Sequence, residues 1–250
     1  MLTQWNFPGV SGSGIKTMQL TVQSRIDTLL LEQQVLRGYS EEEFAKEIVS
    51  VGFACERCAR CCTKAFKGHA FLLDGDVAAI RRLCPGALIP SPFFEYSDQY
   101  GRFYTSGYAL RTRADGACTF LDNIHCAIYG ERPAACRMYP YMLRRESDEH
   151  GNTSWRLSGR SDCHGIYLSP ISREDAVTIA RETKRYEQEV IDHELRYLMF
   201  IRRYFDEYAL NHNRRTYDAG IRNFLHGESV IVKVYYGDTF EENEVRNYMY

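Results

Sequence analysis

The residues in this chain best suited to chemistry are its nine cysteines. Four fall in one short run, Cys55-Glu-Arg-Cys58-Ala-Arg-Cys61-Cys62. Two residues between thiols let a loop turn both sulfurs toward one metal. Three such thiols in series resemble the start of a bacterial ferredoxin run, but its fourth cysteine with a following proline is missing and Cys62 follows Cys61 directly. In extended backbone, adjacent side chains point to opposite faces. Either the two thiols serve different centres, or one binds while the other packs.

A second set is spread further along. Cys118 lies in Gly-Ala-Cys-Thr-Phe-Leu-Asp, Cys126 stands beside His125, Cys136 lies in Arg-Pro-Ala-Ala-Cys-Arg-Met-Tyr-Pro, and Cys163 precedes His164 and Gly165. Gly116, Asp122, Asn123, Gly130, Pro133 and Pro140 supply turns that bend a chain around a centre. Eight thiolates suffice for two four-thiolate sites, or for one site with spare structural thiols. Cys84, before Pro85, stands apart as a buried or free thiol. Packing of small apolar side chains is the bland alternative, but packing imposes no Cys-x2-Cys-x2-Cys-Cys spacing.

The rest of the composition sets the context. The chain has 250 residues, 44% hydrophobic and 26% charged, which is ordinary globular usage. Lysine and arginine number 31 against 33 acidic residues, so the net charge of −2 excludes a strongly basic nucleic-acid binder. No run approaches the ~18 apolar residues of a membrane helix. The segment MLTQWNFPGVSGSG lacks the basic and apolar regions of a secretory signal. The expectation is a cytoplasmic protein whose thiols bind metal rather than form disulfides. An odd count also leaves one thiol over in any all-disulfide scheme.

At the cysteines the sequence resembles a known family. Phe53 to Cys62, Cys118 to Asp122 and Cys126 to Pro140 read Phe-x-Cys-x2-Cys-x2-Cys-Cys, Cys-x-Phe-Leu-Asp and Cys-x-Ile-Tyr-x2-Arg-Pro-x2-Cys-Arg-x-Tyr-Pro. This is similar to the YkgJ-like, CxxCxxCC cysteine-cluster proteins, described as zinc- or iron-chelating or as containing iron–sulfur clusters. The likeness runs from about 52 to 166, with Asp74–Ile80 resembling the family's short helix and Cys163-His164-Gly165 its final cysteine. One departure is Ala59, where the family usually has glycine; if that position needs positive φ, alanine is strained there. The family carries no defined reaction. Flagellin lysine methylases look similar in their cysteine pattern, but residues 1–50 and 170–250 carry no feature matching that activity.

The expected cofactor is an iron–sulfur cluster, 4Fe-4S in type and one or two in number, held by some subset of Cys55, Cys58, Cys61, Cys62, Cys118, Cys126, Cys136 and Cys163. Zinc is the alternative, because all-thiolate ligation suits both metals. Four thiolates on zinc leave no open position, so zinc would be structural. A cluster can carry electrons, with its potential tuned by nearby charge and hydrogen bonds to sulfur. The leading function is therefore redox or electron transfer, as an oxidoreductase or an accessory to a larger enzyme, with a protein redox partner. A structural zinc module mediating protein contacts comes second and a protein lysine N-methylase third.

Other residues are weighed beside the thiols. Arg57, Arg60 and Arg137 either offset thiolate charge or lie solvated at the surface. His125 and His164 are loop residues, or they serve the centre as ligands or as hydrogen-bond donors to sulfur. Arg132 and Pro133 shape the loop before Cys136. The aromatics at Phe93, Phe94, Tyr96, Tyr100, Phe103, Tyr104 and Tyr108 read as core, with a shield around the centre as the alternative. No catalytic residue is identifiable. The chain has no Gly-x-Gly-x-x-Gly after a strand, P-loop, Gly-x-Ser-x-Gly or His-Glu-x-x-His. It also lacks the Cys-x3-Cys-x2-Cys signature of radical enzymes that use S-adenosylmethionine.

These residues need elements to position them. Residues 1–14 read as a loose lead-in. Met18, Leu20 and Val22 alternate like a weak strand, and Ile26, Leu29, Leu30 and Val35 predict a helix over 24–37 that stops at Gly38. Ser40 and Glu43 form a capping box for a helix over 41–50. Residues 52–170 hold all nine cysteines and six of the seven prolines, with little periodicity apart from a helical stretch near Asp76–Leu83. Ser172 and Asp175 open one long helix or two over 173–210, and another follows near 214–226. Val230, Val232 and Val234 predict a strand, with the segment near residue 20 as its partner. The expected fold class is α+β, mainly α, with a loop-rich, metal-stabilised cysteine centre, a helical C-terminal part and a short strand pair. The expected organisation is 1–50 as lead-in and helices, 51–170 as the cysteine domain and 171–250 as the helical end, forming one compact unit.

Overall fold

The computed structural model describes residues 14–64, 70–147, 153–157 and 165–247. The expected lead-in over 1–13, and Cys163 with His164, lie outside the described residues.

The fold is a mixture of helices and short sheets, as the sequence predicts. Helix α1 runs Gly14–Gly38 and α2 runs Glu41–Val51. The Ser40 side chain accepts the Glu43 N–H, which is the N-cap half of the predicted capping box, and Gly52 closes α2 in the left-handed region. The weak strand at residues 18–22 is not formed: α1 is continuous through it. Val22, Ile26, Leu29 and Leu36 are all buried at helical spacing, and that longer repeat prevails over three alternating residues.

The helical end is also close to expectation. Helix α5 spans Arg173–Glu207, its start capped by Ser172 accepting the Asp175 N–H, and α6 spans Arg214–Leu225. At 1.5 Å per residue, α5 is about 52 Å long. Ala180, Tyr186, Leu195, Leu198, Ile201 and Phe205 of its predicted stripe are buried, whereas Tyr208 is exposed. One core joins α1 and α2 to this stripe through Phe44, Ile48, Ile191 and Tyr197, and reaches Tyr104, Trp155 and Tyr235.

Among the described residues, ten short strands complete the fold. The main sheet has the order β10-β9-β3-β2, with β2 at Tyr96–Ser97, β3 at Phe103–Thr105, β9 at Val230–Tyr236 and β10 at Thr239–Val245. The predicted Val230 strand is present, but its partners are β10, antiparallel, and β3, parallel. Pairing with the segment near residue 20 is excluded because that segment is helical. A second core under this sheet takes in Phe94, Phe103, Val232 and Val234 with Val77 and Ile80 of helix α3, Asp74–Leu83. Of the aromatics between 93 and 108, Phe93 and Tyr100 are exposed and Phe94, Tyr96, Phe103, Tyr104 and Tyr108 are core.

Candidate metal centre

The first cysteine loop leaves α2 through a tight crossing. Gly52 has φ 55, and a Cβ there would sit 2.5 Å from the Ser169 carbonyl oxygen. Only glycine allows both the conformation and the approach. Residues 51–54 pair with 166–169: Ser169 N–H donates to Gly52 O (2.7 Å), and Ala54 and Ile166 exchange backbone hydrogen bonds of 2.8 and 3.0 Å. Tyr141 Oη accepts the Phe53 N–H at 2.8 Å. The Tyr-Pro-Tyr segment after Cys136 therefore holds the start of the first cysteine run.

Within that run two residues occupy the left-handed region, Arg57 (φ 54) and Ala59 (φ 60). Together they turn the chain between successive thiols. The Arg57 N–H donates to Cys55 Sγ at 3.4 Å, a backbone hydrogen bond to sulfur of the kind that stabilises a thiolate. Ala59 confirms the conformational demand expected where the family has glycine, and its Cβ makes that conformation costly. Arg60–Cys62 then form a 3₁₀ turn.

The second set folds back on the first. Thr63 bridges Ala117, and Cys118 N–H donates to Cys62 O at 2.7 Å, so Cys62 and Cys118 stand opposite each other on adjacent antiparallel segments. Cys118 then leads into a hairpin of β5 (Leu121–Asp122) and β6 (His125–Cys126), which sets Cys126 opposite Leu121. Asn123 turns it with φ 50. Cys136 lies on a short helix, α4, Ala134–Arg137. Asp76 of α3 accepts the Ala134 N–H on both carboxylate oxygens, at 3.1 and 3.3 Å, and so caps that helix from 58 residues away.

The thiols influence one another accordingly. The Cys62 thiol is pushed well above its ordinary value, first by its hydrogen bond with Cys61, then by burial and by the charges of Cys61, Cys118 and Cys136. Burial raises Cys118 too, with Cys126 and Cys61 adding to the rise and Arg113 opposing it. Cys61, Cys118 and Cys136 thus lie near enough to raise Cys62, and Cys61 and Cys126 near enough to raise Cys118. Cys55 and Cys58 are exposed on the loop that leads into this group. Among the described residues, no three His, Cys, Asp or Glu side chains stand close enough to hold one ion. Cys84 packs in the second core with Leu88, separate from the cluster in role.

The secondary candidates separate in the same way. His125 is exposed on β6. Arg132 does shape its loop: its Nε donates to Tyr129 O at 2.9 Å, and its own carbonyl accepts from Arg137. Arg57, Arg60 and Arg137 are exposed. The cation whose charge opposes the Cys118 rise most is Arg113, which sequence reading passed over. Asp76 and Tyr141 were also passed over. Tyr141 had a local signal in the Tyr-Pro motif, whereas the reach of Asp76 had none.

Known proteins agree with this picture of the segment. Residues 54–158 match the model of the CxxCxxCC family, described as "Putative zinc- or iron-chelating domain". Residues 54–158 are thus similar to the CxxCxxCC family, in the stretch that holds the cysteine motifs. Metal binding through the cysteine cluster is supported at that level. The chain is also 28% identical over 129 residues to the uncharacterized protein MJ0661 of Methanocaldococcus jannaschii. That match takes in 50% of this chain and spans 64% of the relative's length. No solved structure matches.

Proposed function

We propose that the cysteine segment holds an iron–sulfur cluster and serves electron transfer, either alone or as part of a larger enzyme. The observation that carries this reading is the antiparallel bridge that sets Cys62 opposite Cys118, with Cys61, Cys126 and Cys136 near enough to raise these two thiols. One 4Fe-4S cluster takes four thiolates, as one tetrahedral zinc does, and the eight clustered cysteines suffice for either. Thiolates on iron accept hydrogen bonds that adjust the potential, and the Arg57 N–H is already directed at Cys55 Sγ. Arg113 offsets part of the negative charge that builds up when the thiols ionise. The cluster would supply a one-electron redox step. The chain's own residues turn the loop (Arg57, Ala59), fix its start (Gly52, Tyr141) and orient the Cys136 helix (Asp76).

The test is a visible spectrum of protein purified without oxygen. A cluster gives a brown protein whose absorbance bleaches with dithionite. A colourless protein that keeps stoichiometric zinc would instead make the centre structural.

A further inference from the structure

An exposed arginine–tyrosine–arginine stack stands at the cysteine loops. The Arg57 guanidinium carbon lies 4.6 Å from the Tyr129 ring centroid, and that of Arg132 lies 3.7 Å away. Tyr129 is 37% exposed. Arg57 sits between Cys55 and Cys58, Tyr129 follows Cys126 by three residues, and Arg132 precedes Cys136 by four. The stack thus ties the first cysteine run to the second at the surface, beside the two exposed thiols.

Its geometry is held in place. Arg57 keeps a left-handed backbone, a conformation that few residues with a Cβ adopt. Arg132 is tied at its Nε to Tyr129 O and at its carbonyl to Arg137. A guanidinium fixed over a ring loses little freedom on binding, and its edge still offers paired N–H groups to a carboxylate. Tyrosine and arginine are also the residues that concentrate binding energy at protein interfaces.

We infer that this stack is the docking point for an acidic electron-carrier protein, whose carboxylates pair with Arg57 and Arg132 while its cofactor faces the exposed Cys55–Cys58 loop. Exposed Arg137, which donates to the Arg132 carbonyl, extends the cationic patch, and the chain's net charge of −2 makes that patch local. Glu56 and Glu131 interleave with the arginines, which suits a protein surface of mixed charge and opposes a phosphate backbone. The partner's class rests on the redox reading above; the patch itself rests only on geometry.

Binding tests the surface whatever metal is present. Fluorescently labelled flavodoxin, an acidic flavoprotein carrier, and a single-stranded oligonucleotide of matched charge are titrated with the anaerobically purified chain. Anisotropy is read at low and high salt. The expected result is flavodoxin binding that weakens with salt and falls about tenfold in R57E and again in R132Q, while R203Q on α5 leaves it unchanged. Absent flavodoxin binding, equal binding in R57E and wild type, or tighter binding of the oligonucleotide overturns the inference. Because R57E alters an exposed side chain, far-ultraviolet circular dichroism should match wild type; Y129L supplies a second variant that removes the stacking platform without touching charge. Metal and sulfide are measured on the same samples. A zinc-filled protein that still binds flavodoxin through Arg57 would sink the iron–sulfur reading and leave the docking surface standing.

Discussion

The helical frame and the cysteine segment are built on different physics. In the frame, α1, α2 and α5 bury continuous apolar stripes against one another, and residues such as Phe44, Leu29, Ile48 and Ile191 are wholly enclosed. Around the cysteines, strands run to two or three residues, and the chain is held by backbone bridges at 54, 63 and 118, a remote cap and a tyrosine hydroxyl. Burial stabilises the first region at about 25 cal/mol per Å² of apolar surface. The loops at 54–64 and 111–137 hold few buried apolar side chains and depend on cross-links, which is the role a thiolate-bound metal fills. The contrast teaches where each part of the molecule should fail.

Metal removal gives the largest expected effect. Stripping the metal with a chelator should abolish amide-exchange protection over 54–64 and 111–142 while α1, α2 and α5 keep theirs, because metal binding supplies folding energy there. Uniform loss of protection would erase the distinction between the regions. The reciprocal variant is Phe44→Ala, which should cost about 3–5 kcal/mol in denaturant unfolding while the remaining folded protein retains full metal. A variant that lost metal in proportion would show the two regions to be one cooperative unit.

Acidity sharpens the comparison from inside the frame. Glu95 as a residue is half-buried, but its carboxyl group is enclosed, and burial pushes its pKa up to about 8 despite hydrogen bonds from Ser106 and Tyr197. The raised value means that folding favours the protonated acid. That stability is complete below the ordinary carboxylate range and is lost as pH rises toward 8. Unfolding free energy measured from pH 4 to 9 should therefore fall in wild type and flatten in Glu95→Gln; parallel curves would contradict the assignment.

Two smaller effects belong to the cysteine segment. Asp76→Ala removes the cap on the Cys136 helix and should cost about 1 kcal/mol, read by denaturant titration, with weaker metal retention in a competition assay. Ala59→Gly relieves the left-handed backbone and should stabilise the protein by about 1 kcal/mol. Destabilisation there would mean that the alanine methyl makes a contact outweighing its strain.

The same division explains what could be read from the sequence. Helix α5 was legible because its stripe repeats over ten turns, and α2 because Ser40 and Glu43 mark its start. The segment at 18–22 misled because three alternating residues resemble a strand until Ile26 and Leu29 extend the helical repeat through it. The partner of β9 was hidden because Phe103–Thr105 contributes only three residues to the sheet, too few to carry a period. At the site, thiol spacing marked the candidate cysteines without any fold. Which thiols meet was not legible, since Cys62 faces Cys118 only through a bridge formed by their neighbours Thr63 and Ala117. The cap from Asp76 spans two elements and leaves no local mark.

The most direct test of the central claim is iron, zinc and acid-labile sulfide content of protein purified without oxygen, wild type beside C62S and C136S. The account predicts iron and sulfide in equal amounts in wild type and loss of both in each variant. Stoichiometric zinc without sulfide, or variants that keep full iron, would contradict it.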